Sequence, residues 1–159
     1  MVTRIRPQPL QDLNVAGERE RVVVVSNRGP VEHTLVDGRP QARVAGGGVT
    51  TALRLVAAST PVAWLAAAVS QGDKQVARAG QAIPLAGEST LHLVDLPTSA
   101  FDLHYNAFCN PMLWFLQHGL LDQLEGELAP ERLWRAWEEG YLPTNQAFAE
   151  ATVERLLAG

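Results

Sequence analysis

Four consecutive valines, Val22 to Val25, running into Ser26-Asn27-Arg28-Gly29-Pro30, constrain the fold of this chain more than any other stretch. β-Branched side chains fit the pleat of a strand, and a run with no polar alternation suits a strand covered on both faces. Such strands belong to parallel α/β sheets, where ligands sit beyond the carboxyl ends of the strands. Ser26, Asn27 and Arg28 lie at that end. An arginine there can fork two hydrogen bonds onto a phosphate or carboxylate. It can equally leave the strand for a neighbouring acid or for solvent, and the residues alone leave both readings open.

A second feature points the same way. Gly46-Gly47-Gly48 precedes Val49, Leu53 and Val56, whose spacing places apolar side chains on one helix face. Glycines at a helix start let the backbone approach a ligand closely, and the free N–H groups together with the helix dipole favour negative charge. An ordinary flexible turn is the alternative. The familiar glycine motifs are absent: eighteen residues separate Arg28 from Gly47, so no GxGxxG joins the strand to the helix, and no lysine follows the triplet.

With 159 residues and 47% hydrophobic content, one core and one domain are expected. A net charge of −4 argues against a nucleic-acid surface, because neutralising a phosphate backbone requires a clustered basic face. The lone Cys109 excludes an intramolecular disulfide framework and fits a reducing compartment. The longest apolar run, Val62 to Val69, is far short of a membrane span. Residues 1–20, rich in charge and proline, read as a poorly ordered leader without a signal-peptide core. A cytoplasmic protein that uses neither membrane nor nucleic acid is the expectation.

The remaining chain, 21–159, reads as alternating strands and helices, hence an α/β layered domain. Strands are expected at about 21–27, 61–66 and 91–96 and a helix at about 47–58, with ends uncertain by ~2 to 4 residues. Asp37-Gly38 between Val31–Leu35 and Arg39–Arg43 signals a hairpin. The stretch from Gly72 to Gly80 reads as a polar connection. From Thr98 onward the pattern is helical, with Ser99 and Asp102 near a helix start. Trp137, Tyr141, Asn145 and Phe148 share one helical face, which is assigned to packing. Pro143 lacks the N–H that would bond to the preceding turn, so a kink or break is expected near Leu142.

His33, His92, His104 and His118 form no defensible metal pattern, and are expected to be surface or hydrogen-bonded residues. No cofactor is expected. No nucleophile and base can be paired from spacing alone, so the catalytic residues stay unassigned.

Four segments taken in order resemble the N-terminal part of the trehalose-6-phosphate synthase family, retaining glycosyltransferases of two facing Rossmann-like domains (GT-B type). They are Val22-Val-Val-Val-Ser-Asn-Arg28, the Gly46-Gly47 loop, Tyr105-Asn-Ala-Phe-Cys-Asn-Pro-Met-Leu-Trp114 with His118, and Trp137-Glu-Glu-Gly-Tyr-Leu-Pro-Thr-Asn-Gln-Ala-Phe-Ala149. The resemblance implies a mainly parallel sheet and three acceptor contacts: Arg28 on the phosphate of glucose 6-phosphate, with Tyr105 and Trp114 lining the sugar-phosphate pocket. It also implies that Gly46 and Gly47 approach the donor's diphosphate. The set is chemically coherent: a guanidinium for charge, a phenol for a hydrogen bond, an indole wall and bare amides.

The sequence departs from the family pattern at Gly48, Phe115-Leu116, Pro143, Trp64 and Ala66–Val69. The acceptor therefore stays open as glucose 6-phosphate or a related sugar phosphate. Members of the family are much longer. The expectation is an incomplete, acceptor-binding part that is inactive alone. It would use a nucleotide-sugar donor only with the donor domain supplied, in one polypeptide or through association with a complementing chain. The alternatives are a non-catalytic, partner-binding remnant and a small nucleotide-binding α/β protein of another kind.

Overall fold

A computed structural model describes residues 22–123 and 129–157. The segment read as a leader, 1–20, lies outside the described residues. The valine run forms β1 (Val22–Ser26), followed by a hairpin of β2 (Val31–Val36) and β3 (Arg39–Val44), then α1 (Gly48–Ser59) and β4 (Val62–Ala67). Next come α2 (Gln71–Arg78), the short β5 (Ile83–Pro84) and β6 (Thr90–Val94). The main sheet has the order β1-β4-β6-β5, with β1, β4 and β6 parallel and β5 antiparallel. The fold is thus α/β with a mainly parallel sheet, as expected. The hairpin turns at Asp37 (φ 50°) and Gly38 (φ 75°), the two positive φ values that an Asp-Gly turn supplies.

The core sits on β4 and β6, where Trp64, Leu65, Ala66 and Leu91 are fully buried. β1 differs from its expectation. Val22 and Val24 pack on that core, but Val25, on the opposite face, is 44% exposed. The reason is position: among the described residues β1 is an edge strand paired only with β4, while the most buried residues belong to the central strands.

The expected polar connection is in fact α2. Ser70 Oγ accepts from Asp73 N at 2.9 Å and Asp73 Oδ2 accepts from Ser70 N at 3.0 Å, a capping box that starts the helix despite its polar composition. Asp73 also binds His33 of β2, through its backbone N–H at 2.8 Å and its ring Nδ1 at 2.9 Å, both groups being buried. Gly72 sits so close to β2 that a Cβ there would lie 2.5 Å from His33 O. The hairpin is thereby fastened to the sheet layer. At the other side of α2, Lys74 Nζ donates to Leu96 O at 2.8 Å and to Thr98 Oγ1 at 2.9 Å.

The C-terminal third is helical: α3 (Thr98–Asp102), a π-helical segment (Leu103–Leu113), α4 (Trp114–Gln117), a single 3₁₀ turn (Leu121–Gln123), α5 (Pro130–Arg135), a second π-helical segment (Ala136–Tyr141) and α6 (Leu142–Leu157). The wide turns accompany the prolines. Pro111 lies inside the first, and Pro143 is the second residue of α6. A proline ring crowds the carbonyl of the preceding α turn, and hydrogen bonds spanning five residues relieve that crowding. Trp114 N–H thus bonds Cys109 O, and Leu142 N–H bonds Trp137 O. At Leu142 the hydrogen-bond register changes as Pro143 suggests, but the backbone stays helical at φ −60°, ψ −55°.

The aromatic stripe packs as expected, against two partners. Trp137 and Tyr141 stack at 4.9 Å and meet Phe108 of the first π segment at 5.5 and 4.7 Å. Phe148 is buried with Ala67 and Leu96 against the sheet.

Candidate functional site

The carboxyl end of β1 leads into a turn held from two sides, Ser26 by β4 and Asn27 and Arg28 by the first π-helical segment. Ser26 Oγ accepts from Trp64 Nε1 at 2.8 Å and donates to Arg28 O at 2.7 Å, so the buried indole of β4 orients the hydroxyl that closes the turn. Asn27 Oδ1 lies 2.9 Å from Nε2 of the buried His104. Arg28 reaches out of the turn, with Cζ 5.7 Å from the centroid of the Tyr105 ring. Gly29 then lets the chain pass against the sheet: a Cβ there would stand 3.1 Å from Leu91 and 3.2 Å from Ala66.

Arg28 has an acid neighbour as well. Its Nη1 is 3.6 Å from Glu32 Oε1, while Glu32 makes the shorter contact, 2.9 Å, with Arg43 Nη2. An exposed pair at that length is worth little, roughly 0 to 1 kcal/mol. A cation over an exposed ring adds about 0.5 to 1 kcal/mol. The guanidinium is therefore lightly held and half exposed, with hydrogen-bond donors available for an incoming anion.

Tyr105 is set by its neighbours on the first π segment and α3. Its ring stacks on Phe101 at 5.6 Å, with the planes 5° apart. One residue earlier, His104 is enclosed by Phe101 at 6.0 Å, Tyr141 at 5.6 Å and Cys109 Sγ at 3.7 Å from each ring nitrogen. Burial lowers the His104 pKa from its ordinary 6.5 and raises that of the Cys109 thiol. A neutral ring with its proton on Nε2 donates to Asn27 Oδ1.

Trp114, the third expected acceptor residue, lies beyond the first π segment and is 46% exposed. Its indole stacks on His118 at 4.1 Å, and His118 Nδ1 lies 2.6 Å from Trp114 O. Among the described residues no ring contact joins Trp114 to Tyr105. The structure therefore brings Arg28 and Tyr105 into contact, while the exposed Trp114 indole has His118 and Phe115 as its ring partners.

The glycine loop is returned to the turn by the hairpin. β2 and β3 pair from Val31 with Val44, and Ala45 N donates to Pro30 O at 3.0 Å. The long sequence separation thus closes to a hydrogen bond two residues from Arg28. Gly47 caps α1 at φ 138°, ψ 144°, a conformation that L side chains rarely adopt, and its carbonyl accepts the first helical bond from Thr51 N at 2.9 Å. No side chain caps α1, and its first turn contains no acid. A Cβ placed at Gly46 or Gly48 meets no atom within 4 Å.

Spacing alone did not reveal Asn27, His104 and Trp64 as the residues that hold the turn. The partners are 77 and 38 residues apart, and the one available signal was the polar Ser-Asn pair ending an apolar strand. Each histidine does have a hydrogen-bond partner, and two are buried: His33 on Asp73, His104 on Asn27, His92 on Thr90 and His118 on Trp114. Among the described residues no group of three or more His, Cys, Asp or Glu is arranged to hold a metal ion, and no helix is long and apolar enough to cross a membrane.

Comparison with known proteins covers nearly all of the described chain. The model of Glycosyltransferase family 20 matches residues 20–159. Trehalose-6-phosphate synthase of Mycolicibacterium smegmatis is 31% identical over 140 residues, 86% of this chain and 25% of that protein. Trehalose-6-phosphate synthase of a Mycobacterium species is 29% identical over 155 residues, 95% of this chain and 29% of that protein. The protein of that name in Mycobacterium tuberculosis is 31% identical over 132 residues, 81% and 25% respectively. The chain spans about a quarter of the length of these relatives.

Proposed function

The chain belongs to glycosyltransferase family 20, and from that premise we propose that it forms the acceptor side of a glucosyl transfer to glucose 6-phosphate or a related sugar phosphate. Arg28 binds the phosphate, and Tyr105 supplies a hydroxyl beside it. Trp114 offers an exposed apolar wall for the sugar. Gly46 and Gly47, at the uncapped start of α1, approach the diphosphate of a nucleotide-glucose donor. The observation that carries this reading is the Arg28–Tyr105 pair at 5.7 Å, standing at the carboxyl end of a parallel strand.

In this reading the chain by itself binds acceptor and does not transfer glucose. Transfer depends on placing donor and acceptor together and on neutralising the leaving diphosphate. Those tasks need the base and ribose pocket of a nucleotide-sugar domain, in the same polypeptide or in a complementing chain. The product would be a trehalose phosphate, the name that the relatives carry.

Isothermal titration with glucose 6-phosphate tests the acceptor site. Binding by the native chain and a loss of about 1.5 to 3 kcal/mol in Arg28→Ala are expected, the range for hydrogen bonds to charged groups. A folded sample that gives no heat with glucose 6-phosphate or any other sugar phosphate overturns the reading.

A second reading, a non-catalytic module that binds a partner chain, draws on exposed apolar surface. Val49 and Leu55 on α1 are 71% and 73% exposed. Size-exclusion chromatography with light scattering separates the two: a monomer that binds sugar phosphate favours the acceptor site, and self-association without such binding favours the module.

A further inference from the structure

The strand-end turn and the first π segment meet in two successive rungs. The inner rung is Asn27 with His104 at 2.9 Å, and the outer is Arg28 with Tyr105 at 5.7 Å. Each rung advances one residue along both segments. The inner rung is shielded and polar, whereas the outer one is open to solvent.

His104 has little freedom to move. Rings of Phe101 and Tyr141 flank it, Cys109 lies at its edge, and Gly140 backs it so closely that a Cβ there would stand 2.7 Å from His104 N. A ring boxed in this way fixes its Nε2 in space, and through it the side chain of Asn27. Asn27 directly precedes Arg28 in the chain, so holding its side chain fixes the backbone of the turn from which the Arg28 side chain departs. In the same arrangement Arg28 Nη1 lies 3.6 Å from Glu32 Oε1, so the guanidinium stands between the ring and the carboxylate.

We propose that His104 is a positioning residue of the acceptor site, gripping Asn27 so that the Arg28 guanidinium is kept over Tyr105 and is not released to pair with Glu32 alone. The inference rests on the acceptor reading of Arg28 and Tyr105 and adds to it a residue that never touches the sugar phosphate. A buried core histidine with only a packing role would stabilise the fold without directing Arg28.

Two measurements on the native chain and its variants separate these roles. The first is titration with glucose 6-phosphate. His104→Ala is expected to weaken binding about tenfold, equivalent to about 1.4 kcal/mol. His104→Gln, whose amide can donate to the same Asn27 oxygen, should restore most of the loss. In an Arg28→Ala background, His104→Ala should cause no further loss, because its effect runs through Arg28. The second needs no ligand: the ring-current shift that Tyr105 imposes on the Arg28 side-chain protons, read by NMR against Tyr105→Leu. The shift should collapse in His104→Ala and persist in His104→Gln.

Additive losses in the double variant, or an Arg28 shift unchanged by His104→Ala, overturn the proposal. Should His104→Ala fail to fold, Asn27→Ala removes the same rung from the other side and must give the same loss of shift. If the native chain binds no sugar phosphate, the acceptor reading fails by itself. The NMR comparison then still decides whether His104 directs Arg28.

Discussion

The two halves of the candidate site are built in opposite ways. Around Arg28 and Tyr105, elements approach to backbone contact: Gly140 of the second π segment meets Leu103 and His104 of the first, where a Cβ would find atoms at 2.6 and 2.7 Å. Around Gly46 and Gly48 a Cβ would find none within 4 Å. Glycine serves packing in the first place and leaves the backbone bare in the second. The contrast teaches that the segments bearing His104 and Tyr105 are set by close packing, whereas the start of α1 follows a hairpin whose end is tied by the Ala45 N–H to Pro30 O bond.

The largest test of that contrast is steric. Gly140→Ala should destabilise the chain by about 3 kcal/mol, the upper range for overpacking, although alanine is the better helix former. Gly46→Ala should change stability by no more than about 0.5 kcal/mol. Equal urea midpoints for the two variants would break the comparison.

Next comes the tie that carries the loop. Asp73→Ala leaves the buried His33 backbone N–H without its carboxylate acceptor, and a loss of about 1 to 3 kcal/mol is expected in chemical denaturation. A loss confined to the hairpin, seen as faster amide exchange in β2 and β3 with β4 and β6 unchanged, would sharpen the distinction between the two halves. Uniform acceleration throughout the sheet would show that they are not separable.

A smaller effect is expected at Gly47. Its φ of 138° is unfavourable for any side chain, so Gly47→Ala should cost about 1 kcal/mol, read from the thermal midpoint. A neutral result would mean that the helix start relaxes freely.

The smallest effect is pH dependence. Burial lowers the pKa of His104, and burial with the Arg155 charge lowers that of His92. The folded chain therefore binds fewer protons than the unfolded one between those lowered values and 6.5. Stability is full above this window and falls as pH drops through it. Urea midpoints should be lower at about pH 5.5 than at about pH 7.5, and His104→Gln should flatten the slope. A native chain that grows more stable on acidification in this range would contradict the burial of these rings.

Local chemistry made much of this architecture legible. The Asp37-Gly38 turn and the valine strand could be read directly, as could the helix behind the glycines, because turn geometry and side-chain periodicity are written in adjacent residues. α2 escaped because its helix is announced by a capping box that uses aspartate, and its polar residues resemble a loop. The exposure of Val25 could not be read either, since it depends on which strands flank β1. For the site, Arg28 was placed by its strand-end position. The grip of His104 on Asn27 required knowing that two segments 77 residues apart come side by side. Trp64 stood out only as a departure from the family pattern, yet its indole orients the Ser26 hydroxyl.

The wide turns at Leu103–Leu113 and Ala136–Tyr141 also act as angular spacers. Each residue advances an α-helix by about 100°, so every extra residue in a loop of hydrogen bonds resets the azimuth of all that follows. Deleting one residue between Tyr105 and Trp114 would rotate the indole by roughly a quarter of a revolution around the axis. The composition of the site would survive while its aim was lost. Homologous chains whose insertions or deletions fall in these turns should therefore differ in the direction in which the residue at this position points.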